Sequence, residues 1–584
     1  MTQMTLSAFE QTITANGSND LDSSDPTGAG GGGGGTGSNV VSMSLSLTTA
    51  GRLGFYVDYS ELATTGTHTF YVIRTHGTAG AVSCGYSTGG DTHTTVSGTL
   101  SWADGEANIK SFTATVSSKP TAGDHRMWAL LDTPTGGAVL HNGAAYTIAY
   151  GVIDDGTISL DADAVFYDSA AGTGTGTQAD PYGSYITAVA NVGSKRYIYG
   201  KGTTVVDGTH TDNITGNTVQ TLPVPATRSS EATRCYVRNW PGFTWAVNGD
   251  GGTSSVGFFS GDVVTHHTFR GIDIGILNNQ LTNGVGIHYN ATWNGAINVE
   301  LCDFDNINGK AGSNHSGFAP FSTDGYRMWR CTANNIQNAG DNANINTAGF
   351  QTYQGTNGSV QRCTFTNAYH GVYHKQALTG GGVSTASRFN FMNGVLEGVA
   401  MREAGGTNDG HLYTIIQNNL FKNNTNRGIY NWMTLGGGAI LCDKYAISNN
   451  VFDTCAASDR AAVHFRGAYN TQIYNNIMID CREVWSDYQD GEAYDSPDVE
   501  YADYNVEFGT TSTKYVYRGT GYATAAALYA ATGFGNNDTN ADPVFTNRAA
   551  NDYTLDTGSS GIDAGISGVD CGIYLAGIEV VGSA

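Results

Sequence analysis

Charge is scarce in this chain of 584 residues: Asp, Glu, Lys and Arg together supply 14%. Basic charge is scarcer still, with 28 Lys and Arg against 51 Asp and Glu, a formal net charge of -23. Nonspecific nucleic-acid binding, which needs cationic side chains to neutralise phosphates, is therefore not expected. An acidic polymer would have to meet a local basic patch or a bridging cation. No apolar run approaches the roughly 18 residues of a membrane span, so no membrane insertion is expected. Met1 to Asp20 lacks a basic stretch followed by an apolar one, so it carries no recognisable secretory signal. The nine cysteines include no CxxC pair, which fits neither a disulfide framework nor a zinc site. Ala, Glu, Lys, Leu and Arg do not dominate, and glycine shows no period of three, which excludes long coiled coils and collagen.

What the chain has is glycine, 80 residues of it, with 40% hydrophobic and 11% aromatic residues. That is apolar material for a large core and excludes wholesale disorder. The expectation is an all-β protein with many tight turns. Residues 1–38, with a glycine run from Gly28 to Gly35, read as a flexible arm. Residues 39–156 carry short alternating strands, among them Thr69 to Ile73, Ser111 to Val116 and Met127 to Leu131, as in a β-sandwich.

From residue 157 the texture changes. One template recurs: apolar-x-x-(Cys or Asn)-x-(Phe or apolar)-x-(Asn or Asp). It fits Val299–Asn306, Met328–Asn335, Val360–Asn367, Ile416–Asn423, Ile447–Thr454 and Ile473–Asp480, and more loosely Phe269–Ile276 and Ala386–Asn393. Starts are about 26 to 32 residues apart, the mark of a parallel β-helix. Stacking at about 4.8 Å turns equivalent positions into ladders. Cys302, Cys331 and Cys363 share one ladder, continued by Phe389, Asn419, Asn450 and Asn476. Inward Asn side chains can satisfy their amides from coil to coil, and buried Cys serves as a small apolar filler. The predicted solenoid covers residues 157–535 with an N-terminal cap, and residues 536–584 cap its other end.

Each coil carries a further strand that opens on a small residue: Gly286, Gly317, Gly349, Gly371, Gly398, Gly428 and Ala462. The next residue is always apolar and faces the core, so those two and four after the start face outward. One outward column then holds His288, Tyr373, Tyr430 and His464; the other holds Tyr353, Lys375, Arg402, Trp432 and Arg466. Ring faces suit the C–H faces of sugars, and cations suit a carboxylate or sulfate. The expected partner is a polysaccharide, gripped by Tyr353, Tyr373, Tyr430, Trp432, His464 and Arg466. Lys375 and Arg402 stand in one column on adjacent coils, where a neighbouring like charge favours the neutral amine of a general base. A hydrolase would need two carboxyls about 5 to 10 Å apart, for which Glu397 and Glu403 are the candidates, with Asp324 and Asp409 nearby. His370, His374 and His411 lie close by without metal-ligand spacing, so no metal ligand is assigned.

Three resemblances accompany this reading. Gly98 to Glu106, Thr113 to Val116 and Val152 to Gly156 resemble a Calx-β domain. That resemblance implies acidic loops that can hold Ca2+, and the acids that cluster here are Asp154 and Asp155. Val165 to Asp168, Gly172 to Gln178 and Asp180 to Ser184 resemble the opening segment of right-handed β-helix proteins, secreted or from phage, in which the next helix, here about Tyr185 to Val192, caps the solenoid. The Lys375 and Arg402 pairing resembles the chondroitinase B and alginate lyase family. It implies a lyase cleaving an acidic glycan by β-elimination, with Lys375 as base, Arg402 as acid or charge stabiliser, and Arg466 or His464 on the sugar carboxylate. The alternative is a phage tailspike, fibre or head spike recognising host polysaccharide, with or without depolymerase activity. That alternative implies a homotrimer, the common form of such spikes. Either reading places the protein outside the cell or on a virion.

Overall fold

The computed structural model describes residues 50–582 apart from internal segments, chiefly 91–94, 118–121, 142–145, 212–217, 250–254, 261–265, 280–283, 310–314, 339–346, 354–357, 377–383, 404–412, 433–444, 456–460, 466–470, 488–498 and 574–578. The expected N-terminal arm lies outside the described residues. The protein is all-β, with a parallel β-solenoid of about eight turns.

Each coil has three strands. In one coil these are Gly358–Gln361, Thr364–Thr366 and His370–Gln376, and each pairs in parallel with its counterpart in the next coil, Ser384–Arg388, Phe391–Asn393 and Glu397–Glu403. Two left-handed corners separate them. After the first strand the corner residues include Leu301, Arg330, Arg362, Asn418, Asn449 and Asn475; after the second they include Asn306, Asn335, Asn367, Asn423 and Asp480. Their φ values lie between +49° and +57°. Asn and Asp tolerate this region better than other residues with a Cβ, which accounts for the closing Asn or Asp of the repeat.

Inside, the Cys and Asn ladder forms, with one correction. Ser387, not Ala386, pairs with Val360 and Ile416, so this coil is shifted by one residue. Phe389 becomes a left-handed corner, φ 57°, and Asn390 takes the ladder position. The reason is chemical: Asn390 Oδ1 accepts the Cys363 N–H at 3.0 Å, which a phenyl ring cannot do. Asn390, Asn419, Asn450, Asn476 and Asn505 then each donate their amide to the next residue in line at 3.0 to 3.2 Å, and Asp538 Oδ1 accepts the last of these bonds. The eight described cysteines are buried and free, and Cys442 lies outside the described residues.

The helix Tyr185–Asn191, capped by the Ser184 hydroxyl, closes the N-terminal end by burying Tyr185 and Ala188. At the other end the helix Ala525–Thr532 buries Leu528 over the last coil. The segment after Asp542, expected as the cap there, does something else. It folds back along the outside of the second strands, where Leu420, Val451, Ile477 and Val506 meet Tyr553, Cys571 and Ile573 in one buried cluster. Asn418 and Asn449 donate to its carbonyls, and Glu579 accepts the Tyr56 hydroxyl at 2.8 Å.

Before the solenoid, two small sheets share a buried core that includes Leu53, Phe70, Trp102, Met127 and Leu131. This unit sits on the outer face of the first strands, whose outward ladder runs Arg238, Arg270, Glu300, Trp329, Gln361 and Arg388. Tyr59 lies over Trp329 with ring centroids 3.9 Å apart and donates to Glu300 at 2.8 Å. Arg126 pairs with Glu300 at 2.6 Å, and Arg270 bridges Glu300 and Asp154, each at 2.9 Å. Burial alone would raise the Glu300 carboxyl, yet Arg126 and Arg270 hold it below its ordinary value.

Candidate functional site

The third strands form the face on which the predicted site residues fall. Their opening glycines are a packing requirement: a Cβ on Gly398 would lie 2.4 Å from the Phe421 ring, and one on Gly428 2.4 Å from Phe452. With the glycine fixed, the next residue is driven inward. Ile287, Phe318, Phe350, Val372, Val399, Ile429 and Val463 are all fully buried.

Alternation then sets two outward ladders. One pairs Gln351 with Tyr373, Tyr373 with Ala400, Ala400 with Tyr430 and Tyr430 with His464. The other pairs Tyr353 with Lys375, Lys375 with Arg402, and Arg402 with Trp432. The strand register thus brings Tyr353, Lys375, Arg402 and Trp432 into one line across four coils. The side chains of Tyr353, Arg402, Trp432, Glu403 and Asp324 lie outside the described residues, as do Arg466, Asp409, His411 and Asp155 altogether.

Exposure varies among the described residues of these ladders. The expectation of an open sheet needs correction at Tyr373 and His464, which are 1% and 4% exposed. Ala348 and Ala400 leave a trough that the Tyr373 ring fills, and His370 stacks on it with centroids 4.7 Å apart and planes 21° from parallel. His464 shares a hydrogen bond with the Ser486 hydroxyl at 2.7 Å. Tyr430 and Lys375 are half-buried and reach the surface. His374 points the other way, buried in the interior near the Phe350 ring.

A third outward column had escaped the sequence reading. It lies immediately before the small opening residues and holds His370, Glu397 and Arg427 on successive coils. His370 Nδ1 is 3.2 Å from Glu397 Oε2, Arg427 pairs with Glu397 Oε1, and Asn426 donates to the same oxygen at 3.0 Å. The Arg427 guanidinium then covers Tyr430, 3.8 Å from the ring centroid. Burial acts to raise the Glu397 carboxyl, but the His370 bond and charge, followed by Arg427, hold it below its ordinary value. A carboxylate kept ionised in this way orients His370 and Arg427; it is ill suited to donating a proton to a glycosidic oxygen. Strict alternation does not reveal this column: it stands one residue before the small opening residue, and the inward glycine and apolar pair that follows it interrupts the period of two.

No group of three or more His, Cys, Asp or Glu that could hold a metal occurs among the described residues. Asp154, one of the two acids considered for Ca2+, is occupied by Arg238 and Arg270. Burial would raise its carboxyl, and the two guanidiniums with the Gly156 N–H bring it well below its ordinary value. Among the described residues no helix is long and apolar enough to cross a membrane.

No protein-family model matches the chain, and no curated protein does. Among solved structures, the apo form of the Calx CBD1 domain is similar at 20% identity over 18% of this chain and 94% of that one, with a TM-score of 0.16. The calcium-binding domain CBD12 of CALX1.1 is similar at 19% identity over 21% of this chain and 54% of that one, again with a TM-score of 0.16. Likenesses this small in extent add nothing to the reading of the site.

Proposed function

We propose that the third-strand face binds an acidic polysaccharide and that the protein cleaves it by β-elimination. The observation that carries this is the ladder that sets Lys375 directly beside Arg402 between two aromatic residues, Tyr353 and Trp432. Adjacent strands place such neighbours about 4.8 Å apart, a spacing that one uronate residue can bridge. A parallel β-solenoid is compatible with polysaccharide binding because its stacked coils offer a long, flat, regular wall. Cations gathered on this wall, in a chain of net charge -23, supply the local attraction that the whole surface denies to an acidic glycan.

In the proposed reaction the Lys375 amine takes the proton from the carbon next to the uronate carboxylate. That electron pair forms a carbon–carbon double bond, the bond to the leaving sugar oxygen breaks, and this oxygen takes a proton from water, while the Lys375 ammonium returns its own to solvent. Arg402 stabilises the charge that develops on the carboxylate. His370, Glu397 and Arg427 support the wall from its edge, and Arg427 fixes Tyr430 by its cation–π contact. The test is incubation with alginate, chondroitin and capsular polysaccharides while following the ultraviolet absorbance of the unsaturated uronate. Absorbance that appears with the wild type and disappears in Lys375→Ala supports the lyase. New reducing ends without absorbance would point to hydrolysis, and binding without cleavage to a receptor-recognition protein; mass in solution would distinguish a trimeric spike from a monomer.

A further inference from the structure

A cleft lies away from the third strands, where the end of the first unit meets the corners of the early coils. It is open to solvent, with a volume of about 510 Å³, and its lining includes Asp154, Asn239, Phe243, Arg270 and Asp273. A sugar ring falls within the range of ligands that a space of this size accommodates.

Three features set it apart from an ordinary seam. Phe243 is 50% exposed at its mouth, presented by a turn in which its N–H bonds the Trp240 carbonyl at 2.9 Å and Gly242 adopts φ 82°. The ring is fixed, not loose: Lys201 Nζ lies 4.7 Å from its centroid and 4.4 Å from that of Trp240. The floor is already neutralised, since Arg238 and Arg270 bond Asp124, Asp154, Glu61 and Glu300. The lining carboxylate nearest the opening coils, Asp273, is half-buried. Burial and then the neighbouring Asp303 raise its carboxyl above the ordinary value.

We propose that this cleft binds one neutral hexopyranose unit, its C–H face on Phe243 and its hydroxyls on Asp273 and Asn239. An exposed aromatic beside planar polar side chains matches a ring with one apolar face and a polar edge. The guanidiniums are committed and carboxylates line the space, so a uronate or sulfate is disfavoured here, the opposite preference to the Lys375 and Arg402 wall. The site stands independently of the lyase reading.

The full-length protein is titrated with cellohexaose, maltohexaose, mannohexaose and chitohexaose, followed by saturation-transfer NMR and calorimetry. At least one should bind saturably, with affinity falling about tenfold or more in Phe243→Ala and severalfold in Asp273→Asn. Lys375→Ala should leave that affinity unchanged, and the melting temperature of Phe243→Ala should fall by no more than a few degrees because half of the ring is exposed. Failure of all four sugars to bind, or binding that survives Phe243→Ala, overturns the proposal. Uronate cleavage is read separately by absorbance, so the two sites fail or stand apart.

Discussion

The solenoid has two outward faces rich in charge and aromatic rings, and they have different fates. On the first strands Arg238, Arg270, Glu300, Trp329 and Arg388 are buried beneath the preceding unit, and its Tyr59, Asp124, Arg126 and Asp154 meet them residue by residue. On the third strands Lys375 and Tyr430 reach the surface, while the His370, Glu397 and Arg427 column beside them satisfies itself within the face. A charged outer ladder is thus no mark of a ligand site by itself. What separates the two is whether another part of the same chain supplies the opposite charges. Disturbing the first face should cost stability, and disturbing the surface ladder of the third should cost function.

The largest effect is expected from Glu300→Ala. It leaves Arg126 and Arg270 in the contact without their shared carboxylate, and breaking a buried pair in this way costs about 3–5 kcal/mol. Urea unfolding should show the loss. A change below about 1 kcal/mol would mean that the two parts are not held by this network.

On the third face, Glu397→Gln should cost less, about 2–3 kcal/mol, because His370 and Arg427 lie at the edge of the face and Asn426 can still donate to the amide oxygen. It should also alter the acid limb of stability. A carboxyl held below its unfolded value contributes stability that is present above that unfolded value and is lost as pH falls through the folded one. Glu397 and Glu300 both behave in this sense. Thermal melts from pH 7 down to pH 3 should therefore fall less steeply in Glu397→Gln than in the wild type.

The core ladder supplies a titration of opposite sign. Burial raises the Asp538 carboxyl from 3.8 to about 7, against the N–H of Asn505 that lowers it. Between those values the folded protein holds the proton that the unfolded chain has lost, so stability declines as pH rises through this window and then levels. Asp538→Asn keeps an acceptor for Asn505 and removes the charge. Its melting temperature should exceed the wild type's at pH 8, by several degrees, and the two should converge toward pH 4. Equal melting temperatures at pH 8 would show that Asp538 does not titrate upward.

Much of this architecture was legible because it repeats. The left-handed corners after the second strands favour Asn, Asp or Gly at fixed spacing, and the inward ladder favours Cys or Asn. The slip at Ala386 arose because Ser387 holds the opening apolar position and Gly394 the closing corner, so that Ala386, Phe391 and Asn393 satisfied the template one residue early and Asn390 was passed over. The return of the tail was written in Leu420, Val451, Ile477 and Val506, outward residues too apolar for a solvated strand, but a template centred on the inward positions passed over them. The alternation of the third strands gave the pairing of Lys375 with Arg402 correctly. It could not give burial, since whether Tyr373 stands in solvent depends on Ala348 and Ala400 on the neighbouring coils and on the His370 ring three residues earlier in its own strand.

The smallest effect on stability is expected where the functional effect should be greatest. Lys375 is half-buried near the end of its strand, and replacing a side chain that reaches solvent costs little; Lys375→Ala should shift unfolding by no more than about 1 kcal/mol. The same substitution removes the proposed base beside Arg402, so release of unsaturated uronate should fall by about a hundredfold or more while binding of the uncleaved polymer weakens far less. Lys375→Arg keeps the charge but not a readily neutralised amine, and should bind the polymer without cleaving it. If Lys375→Ala instead destabilised the protein as Glu300→Ala does, the third face would be a second docking surface like the first. The distinction between a wall that is covered and a wall that grips would then be lost.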